Sequence, residues 1–336
     1  MTRAGVVGRL PAPADGLLPF HPGRDLAAVV ELLELGFDGD LEARDRQWLA
    51  ELARISQLAG PLLHWLVRLV PPLSASLAGF VWYADGCLVG NASLMRGKGG
   101  VWVVANVVTR PDRRRRGIAT GLMAAVVDAA RRGGAREIRL QVRDDNEAAH
   151  ALYRRLGFRR THATAWLALA SARAAVGAPV GAPSPADGDA VVKLGRGDGP
   201  AVRRLVARAD ADGAGVPPLV RGLAEERGVV ERLAALLAPA PSYRFGVVRH
   251  GGLRVVGAAS VGEAPDGHQM ALAVDPSWRG RVEARVVCAL LAALAHHAPV
   301  AVQAEVDARE DGAMRALEAA GFRRRRTLDR LTLSLR

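Results

Sequence analysis

Cysteine is nearly absent from this chain of 336 residues, which contains only Cys87 and Cys288. Two cysteines, one in each half, exclude a disulfide framework and a metal cluster held by thiolates. The histidines are scattered, and no two of them are three or four residues apart as in a helical metal site. The sequence therefore predicts no metal site, and we expect both cysteines to be small, buried apolar residues.

Long apolar runs are also lacking. The most apolar segment, Pro61 to Val70, is too short to span a bilayer and contains His64 and Arg68. We interpret it as a core helix or a helix of the substrate cleft. The first 16 residues contain Pro11 and Pro13 and no apolar stretch of signal-peptide length. The sequence therefore predicts no membrane span, and the expected location is the cytoplasm.

Lysine is scarce too, because all but two of the 46 basic residues are arginine. The formal net charge of +12 requires that a nucleic-acid partner be considered. Aromatic residues make up only 4% of the chain and do not alternate with the basic ones, although proteins bind single-stranded nucleic acid by stacking its bases on aromatic rings. Nucleic acid is therefore not the expected partner. A nucleic-acid-binding protein, whose affinity would fall steeply with salt, stays as a minority alternative.

The chain does contain an internal repeat. A pattern of strand end, proline, arginines, long helix, strand, short helix and Gly-Phe occurs at residues 106–158 and again at residues 272–322. A shift of 165 residues takes Pro111 to Pro276, and a shift of 164 takes Phe158 to Phe322. We therefore predict two copies of one domain, at residues 1–170 and 189–336. The linker between them is residues 171–188, which are rich in Ala, Pro and Gly.

Hydrophobic periodicity in the first copy predicts alternating strands and helices. Strands are expected at Leu17–Phe20, Trp102–Thr109 and Ile138–Val142, with a hairpin at Phe80–Val89 that turns at Asp85-Gly86. Helices are expected at Asp25–Phe37, in an extra region up to about Val70, from Ile118 to a glycine end at Gly133-Gly134, and from Asn146 to Leu156. These elements predict an α/β fold.

One segment of the first copy suggests chemistry. The strand that ends at Thr109 is followed by a basic loop, and the next helix begins at Gly117 with small residues. Such a helix start presents unpaired backbone N–H groups and the positive end of the helix dipole, which suits a pyrophosphate. Gly117 would let the main chain approach the phosphates closely, and Ala119 would keep the surface thin.

These residues resemble the GCN5-related N-acetyltransferase (GNAT) superfamily, whose cofactor loop has the pattern Gln/Arg-x-x-Gly-x-Gly/Ala. Here that pattern is Arg114-Arg115-Arg116-Gly117-Ile118-Ala119. The superfamily's second pattern, Asn-x-x-Ala-x-x-Leu-Tyr-x-x-x-Gly-Phe, is matched at every fixed position between Asn146 and Phe158. The resemblance implies two tandem GNAT domains, each with a mixed, mostly antiparallel sheet flanked by helices.

The resemblance also implies roles for individual residues. Acetyl-CoA is the implied cofactor, with Asn146 as a hydrogen-bond partner of its pantetheine and Tyr153 as the general acid that protonates the departing thiolate. An N–H group near Val108 would stabilise the acetyl carbonyl. The remaining implied cofactor contacts are Val107, Val108 and Thr109 for the pantetheine, and Arg114, Arg115, Arg116, Gly117, Ile118, Ala119 and Thr120 around the pyrophosphate.

The second copy departs from these patterns at four functional positions. Val282 stands at the Gly117 position and Glu283 at the Ile118 position, while Glu310 replaces Asn146 and Leu317 replaces Tyr153. A carboxylate at a phosphate-binding helix start would oppose the charge of the ligand. We therefore predict that the second copy has lost acetyl-CoA binding and either shapes the acceptor cleft or fixes the assembly. Homo-oligomerisation is left open.

The predicted function is an acetyl-CoA-dependent N-acetyltransferase that acetylates a primary amine, on a small molecule or a peptide, by direct attack. The alternative is a catalytically silent acyl-CoA-binding regulator or scaffold. A lysine-like amine, with a pKa near 10.4, is only about one part in two thousand neutral at pH 7 and would need a base. Asp144, Asp145 and Glu137 are the carboxylates nearest to the motif, and the sequence does not choose among them.

Overall fold

The computed structural model describes residues 14–37, 78–175, 190–211, 216–217, 219–220, 242–249, 252–261 and 267–335. The predicted helix at Pro61–Val70 and most of the predicted linker lie outside these residues. The chain forms two compact units that are discontinuous in sequence. Unit 1 contains residues 1–141, 148–159 and 331–336, and unit 2 contains residues 142–147 and 160–330.

Unit 1 is built on five consecutive strands. These are β1 (Gly16–Pro19), β2 (Ala78–Ala84), β3 (Cys87–Arg96), β4 (Val101–Thr109) and β5 (Glu137–Arg143), whose last two residues belong to unit 2. Strands β1 to β4 pair antiparallel in chain order, and β5 joins β4 in parallel. The helices are α1 (Pro22–Gly36), α2 (Ile118–Arg132) and α3 (Glu147–Arg155). The strands and helices expected for the described part of the first copy are thereby confirmed, with small differences at their ends.

Unit 2 repeats this arrangement. Its strands are β6 (Arg159–Leu169), β7 (Ala190–Lys193), β8 (Ser242–Arg249), β9 (Gly252–Ser260), β10 (His268–Val274), β11 (Val302–Asp307) and most of β12 (Arg323–Ser334). Its helices are α4 (Ala172–Ala175), α5 (Gly199–Ala211), α6 (Glu283–Leu294) and α7 (Asp311–Ala319). Strands β7 to β10 pair antiparallel, and β11 joins β10 in parallel. The predicted fold class, an α/β protein with a mixed, mostly antiparallel sheet, is confirmed.

Each unit contains a strand segment from the other repeat. Strand β6, which closes the first repeat in sequence, pairs antiparallel with β11 of unit 2. Residues 331–336, which close the second repeat, belong to unit 1, where the N–H of Leu335 donates to the carbonyl of Arg136 at 2.8 Å. The predicted domain ranges, 1–170 and 189–336, follow the sequence repeat and stay a prediction, whereas the compact units follow strand pairing.

The start of the predicted linker is part of unit 2. Ala172 is 2% exposed and belongs to the core beneath α6. The Arg173 guanidinium donates to the carbonyls of Ala295 and His297 at the end of α6, both at 3.1 Å. Residues 171–175 therefore belong to the folded part of the chain.

The expectation that both cysteines are buried is wrong. Cys87 is exposed and Cys288 is half-buried. Cys87 directly follows the Asp85-Gly86 turn of the β2–β3 hairpin, where the end of the strand meets solvent. No helix in the described ranges is long and apolar enough to cross a membrane.

Candidate active site

The strand before the basic loop contains a β-bulge. Asn91 of β3 faces Val108 of β4, but Ser93 faces Ala105, so β4 has one residue more than β3 over this stretch. Asn106 in the bulge has a positive φ of 53°, and its carbonyl accepts a hydrogen bond of 2.8 Å from the buried Asn91 amide. Bulges re-aim neighbouring backbone groups and occur often beside active sites. Here the bulge lies directly before Val107, Val108 and Thr109.

Strands β4 and β5 separate towards their carboxyl ends. Their parallel pairing covers only Val101 to Val103 of β4, opposite Glu137 to Arg139 of β5. Among the described residues, the rest of β4 up to Thr109 has no strand partner on its β5 side. Ligands of α/β proteins bind where parallel strands end. The unpaired edge of β4 can therefore offer main-chain hydrogen bonds to an extended ligand.

The basic loop combines two positive-φ residues with the start of a helix. Arg115 and Gly117 both have positive φ, 62° and 81°, and α2 begins at Ile118. The first helical hydrogen bond runs from Gly121 N to Gly117 O at 2.9 Å. Within the described ranges, the N–H groups of residues 115–120 donate to no acceptor. Such a nest at a helix start is an anion-binding arrangement, and it is exposed.

Close backbone packing fixes this helix start against the sheet. A Cβ atom at Gly90 of β3 would lie 2.8 Å from Ile118 Cγ2 and 2.9 Å from Leu122 Cδ1. A Cβ atom at Gly121 of α2 would lie 2.6 Å from the Trp82 ring. Glycine at both positions therefore lets α2 approach β2 and β3 closely, which sets where the loop amides point.

The arginines of the loop divide into two groups. Arg110 and Arg113 form ion pairs with Asp112 and Asp85, each at 2.7 Å. Arg110 holds the pKa of the Asp112 carboxyl down to about 2. By contrast, Arg115 and Arg116 are exposed and pair with no carboxylate in the described ranges. Arg114 donates to the carbonyl of Thr109 at 3.3 Å. Arg115 and Arg116 are thus the loop cations that can meet an incoming anion.

Tyr153 lies on α3 and is buried, with 5% of its surface exposed. Its ring packs against Phe158 with centroids 5.8 Å apart, and burial raises the pKa of its hydroxyl to about 12. The hydroxyl therefore stays protonated throughout the physiological range. It makes no hydrogen bond to any residue that the structure describes, so it has a proton to donate.

The other predicted site residues are less enclosed. Asn146 is exposed and directly precedes α3, and its N–H donates to the carbonyl of Arg143 at 3.1 Å. Asp145 is ion-paired with Arg143, which lowers the pKa of its carboxyl. Glu137 is ion-paired with Arg139, and Asp144 is exposed. Its ion pair makes Asp145 a poor general base.

Two features of the site were not predicted from the sequence. Asn91 and Asn106, which hold the β4 bulge, look like ordinary polar strand residues, and the only sequence signal is that Asn tolerates positive φ. The second is the close contact of α1 with β4, where a Cβ atom at Gly36 would meet the Val108 side chain. A glycine at the end of a predicted helix suggests only a helix terminus.

Comparison with known proteins gives one family match and several similar solved structures. Residues 43–158 match the acetyltransferase (GNAT) family. A tandem GNAT protein from the clavulanic acid biosynthesis pathway has a similar structure, with 17% identity, a TM-score of 0.57, and coverage of 95% of this chain and 98% of that one. A GCN5-related N-acetyltransferase from Sphaerobacter thermophilus gives 17% identity, a TM-score of 0.61 and coverage of 95% and 96%. Curated protein sequences give no match.

Proposed function

From a chain that has the tandem GNAT fold and matches the acetyltransferase (GNAT) family over residues 43–158, we propose an acetyl-CoA-dependent N-acetyltransferase that works through its first copy. The observation that carries this proposal is the loop at residues 115–120. It offers six consecutive N–H groups without an acceptor in the described part of the chain, and it includes two exposed arginines and the start of α2.

The residues present fit acetyl-CoA. The pyrophosphate would be held by the N–H groups of residues 115–120 and by Arg115 and Arg116, since a helix start and arginine both favour phosphate. Gly117 has no atom within 4 Å of an added Cβ, so the space above the loop is open. The pantetheine amides would pair with the unpaired edge of β4 at Val107 to Thr109, and Asn146 would add a hydrogen bond.

Acetyl-CoA would supply the activated acetyl group. The acceptor amine would form a bond to the acetyl carbon, the carbon–sulfur bond would break, and the sulfur would leave as a thiolate. A backbone N–H beside the β4 bulge, near Val108, would donate to the carbonyl oxygen as negative charge develops there. Over the whole reaction, the proton that the amine loses would protonate the thiolate of coenzyme A.

Tyr153 would act on the leaving sulfur as a general acid. It would mainly donate a hydrogen bond to the sulfur and would not transfer its proton completely. Its pKa is about 12, whereas a thiol has a pKa of about 8.5, so complete transfer would be uphill by roughly 5 kcal/mol. A donor hydrogen bond in a buried place still stabilises the developing negative charge.

The test is an acetyl-CoA consumption assay against a panel of amines that includes α-amino and lysine-like acceptors. We expect turnover with at least one amine, and Tyr153→Phe should reduce kcat about 10²-fold while leaving acetyl-CoA affinity unchanged. Tyr83→Phe is the matched control, because the Tyr83 hydroxyl binds the buried Asp25 at 2.9 Å. It should lower stability and spare kcat.

The outcomes separate the candidate functions. Absence of acetyl-CoA binding by the intact chain would refute the proposal. Binding without turnover of any amine would favour the acyl-CoA-binding regulator. Binding that falls steeply with salt and survives the loss of Gly117 would point to a nucleic-acid partner.

A further inference from the structure

The second copy keeps the layout of the anion-binding loop with one backbone difference, because Val282 has a φ of −131° where Gly117 has 81°. A short turn at Pro276–Trp278 occupies the position of the turn at Pro111–Arg113, and α6 begins at Glu283 as α2 begins at Ile118. Gly280 has a positive φ of 81°, and Arg115 at the corresponding position has a positive φ of 62°. The loop and the helix start that follows it are therefore present in both copies, and in the second copy the loop amides have an acceptor.

In unit 2 the loop amides bind a side chain of the same loop. The N–H of Gly280 donates to Glu283 Oε1 at 2.6 Å, and the N–H of Val282 donates to Oε2 at 2.9 Å. Glu283 is only 2% exposed. Both carboxylate oxygens thus take hydrogen bonds from amides that correspond to Arg115 and Gly117 in unit 1. A carboxylate at a helix start is also favoured by the helix dipole.

Helix α7 covers this carboxylate. A Cβ atom at Gly312 would lie 2.5 Å from Glu283 Oε1 and 2.4 Å from the N atom of Gly280. Only a glycine permits this contact, and the first copy has Ala148 at the corresponding position. The approach of Gly312 therefore places the backbone of α7 directly against the loop and its bound carboxylate.

A second carboxyl group lies beside the first. Glu310 is 3% exposed, and its Oε1 lies 3.7 Å from Arg279 Nε. Its Oε2 is buried and has no hydrogen-bond partner among the described residues. Burial raises the pKa of Glu310 to about 8, so this group is mostly neutral at pH 7. A neutral Glu310 can lie close to the Glu283 carboxylate without like-charge repulsion.

We propose that the Glu283 carboxylate is a built-in substitute for a phosphate group, which keeps the second copy from binding coenzyme A. Glu283 supplies the negative charge and the two acceptor oxygens that the loop amides require, and Gly312 closes the space over it. Restoring the residues of the first copy, by Val282→Gly with Glu283→Ile, converts the loop into a second pyrophosphate-binding site. The inference about coenzyme A rests on the proposed function of the first copy. The observation that Glu283 occupies the loop of the second copy does not depend on that function.

Amide hydrogen exchange on the unaltered chain tests the occupied loop directly. We expect the amides of Gly280 and Val282 to exchange at least about tenfold more slowly than those of Arg115 and Gly117. Added coenzyme A should protect residues 115–120 and leave residues 279–283 unchanged. Equal exchange in both loops, or protection of residues 279–283 by coenzyme A, would overturn the proposal. Protection of neither loop by coenzyme A would count against the proposed function alone.

Substitution tests the charge replacement. In a Gly117→Val background, which silences the first loop, the full chain with Val282→Gly and Glu283→Ile should be stabilised by inorganic pyrophosphate in a thermal melt. The parent Gly117→Val chain and a Glu318→Gln control should show no shift. Should the double variant melt without a cooperative transition, Glu283→Ala takes its place, and pyrophosphate should then restore part of its lost melting temperature. A folded variant that pyrophosphate does not stabilise would contradict the proposal.

Discussion

Glu310 gives unit 2 a pH-dependent stability. Its pKa is raised from 4.5 to about 8, mainly by burial. Because the folded pKa is higher than the unfolded one, the folded chain holds a proton that the unfolded chain releases above pH 4.5. The contribution of this group is fully present below pH 4.5 and is lost as the pH rises through 8. The size of the effect is on the order of 5 kcal/mol.

We therefore predict that Glu310→Gln flattens the fall in stability between pH 5 and pH 8.5. The glutamine imitates the neutral acid, so the variant should match the unaltered protein at pH 5 and exceed it at pH 8.5. Urea unfolding at the two pH values measures the difference. Glu318→Gln, at a half-exposed carboxylate of α7, the helix that Glu310 directly precedes, is the control and should keep the original slope. An unchanged slope in Glu310→Gln would show that another group titrates.

Single residues of the second motif divide into structural and chemical ones. Gly157 has a positive φ of 89°, and the N–H of Phe158 returns to the carbonyl of Tyr153 at 3.0 Å, which ends α3. Gly321 and Phe322 do the same at the end of α7, with a hydrogen bond of 3.1 Å to Leu317. The Gly-Phe pair is thus a helix end needed by both copies. This explains why the second copy keeps the pair although it has lost the tyrosine.

At the scale of elements, the start of α2 carries the candidate cofactor site, and two glycines test it. Gly117 before α2 and Gly134 after it have positive φ of 81° and 76°, and neither has an atom within 4 Å of an added Cβ. Alanine at either position should cost about 1 kcal/mol of stability through backbone strain alone. Only Gly117→Ala should also raise the Kd for acetyl-CoA, because it disturbs the loop amides. Equal affinities in the two variants would argue against a phosphate site at this loop.

Elements were more predictable than their irregularities. Periodicity and turn residues located the β2–β3 hairpin and α2, because each has one apolar face or a clear glycine signal. The bulge at Asn106 could not be predicted, since it depends on which residue of β3 lies opposite. The hydrogen bonds from the loop amides to the Glu283 carboxylate could not be predicted either, because the sequence gives the charge of Glu283 but not its rotamer. The loss of the site in the second copy was predicted from four residue differences, that charge among them, and stays a prediction.

At the scale of the whole molecule, we predict that the last six residues are needed by the first copy. Leu331 is 2% exposed, Leu333 lies beside Gly157, and Leu335 donates to the carbonyl of Arg136. Deletion of residues 331–336 should therefore lower the stability of unit 1 and weaken acetyl-CoA binding, measured by proteolysis and calorimetry. Leu331→Ala should show a milder loss of about 2 to 5 kcal/mol. Full acetyl-CoA affinity after the deletion would contradict this assignment.

A fragment of residues 1–170 should likewise fail to form a stable monomer. It would retain β6 without β11, and Ala165, Leu167 and Leu169, which pack in the core of unit 2, would be exposed. An unpaired apolar strand edge favours aggregation. Size-exclusion chromatography would measure this, and a soluble, cooperatively folding monomer would disprove the expectation.

Because each unit contains a strand segment from the other repeat, neither unit can be completed early in biosynthesis. Arg136 leaves the ribosome about 200 residues before Leu335, and at 5 to 20 residues per second the interval is roughly 10 to 40 s. During that time the first copy has been translated but lacks its closing segment. Strand β6 likewise has no β11 to pair with until Val302 and its neighbours have been translated. Both halves must therefore finish folding late and together. We expect the nascent chain to depend on chaperones that shield unpaired strands until translation ends.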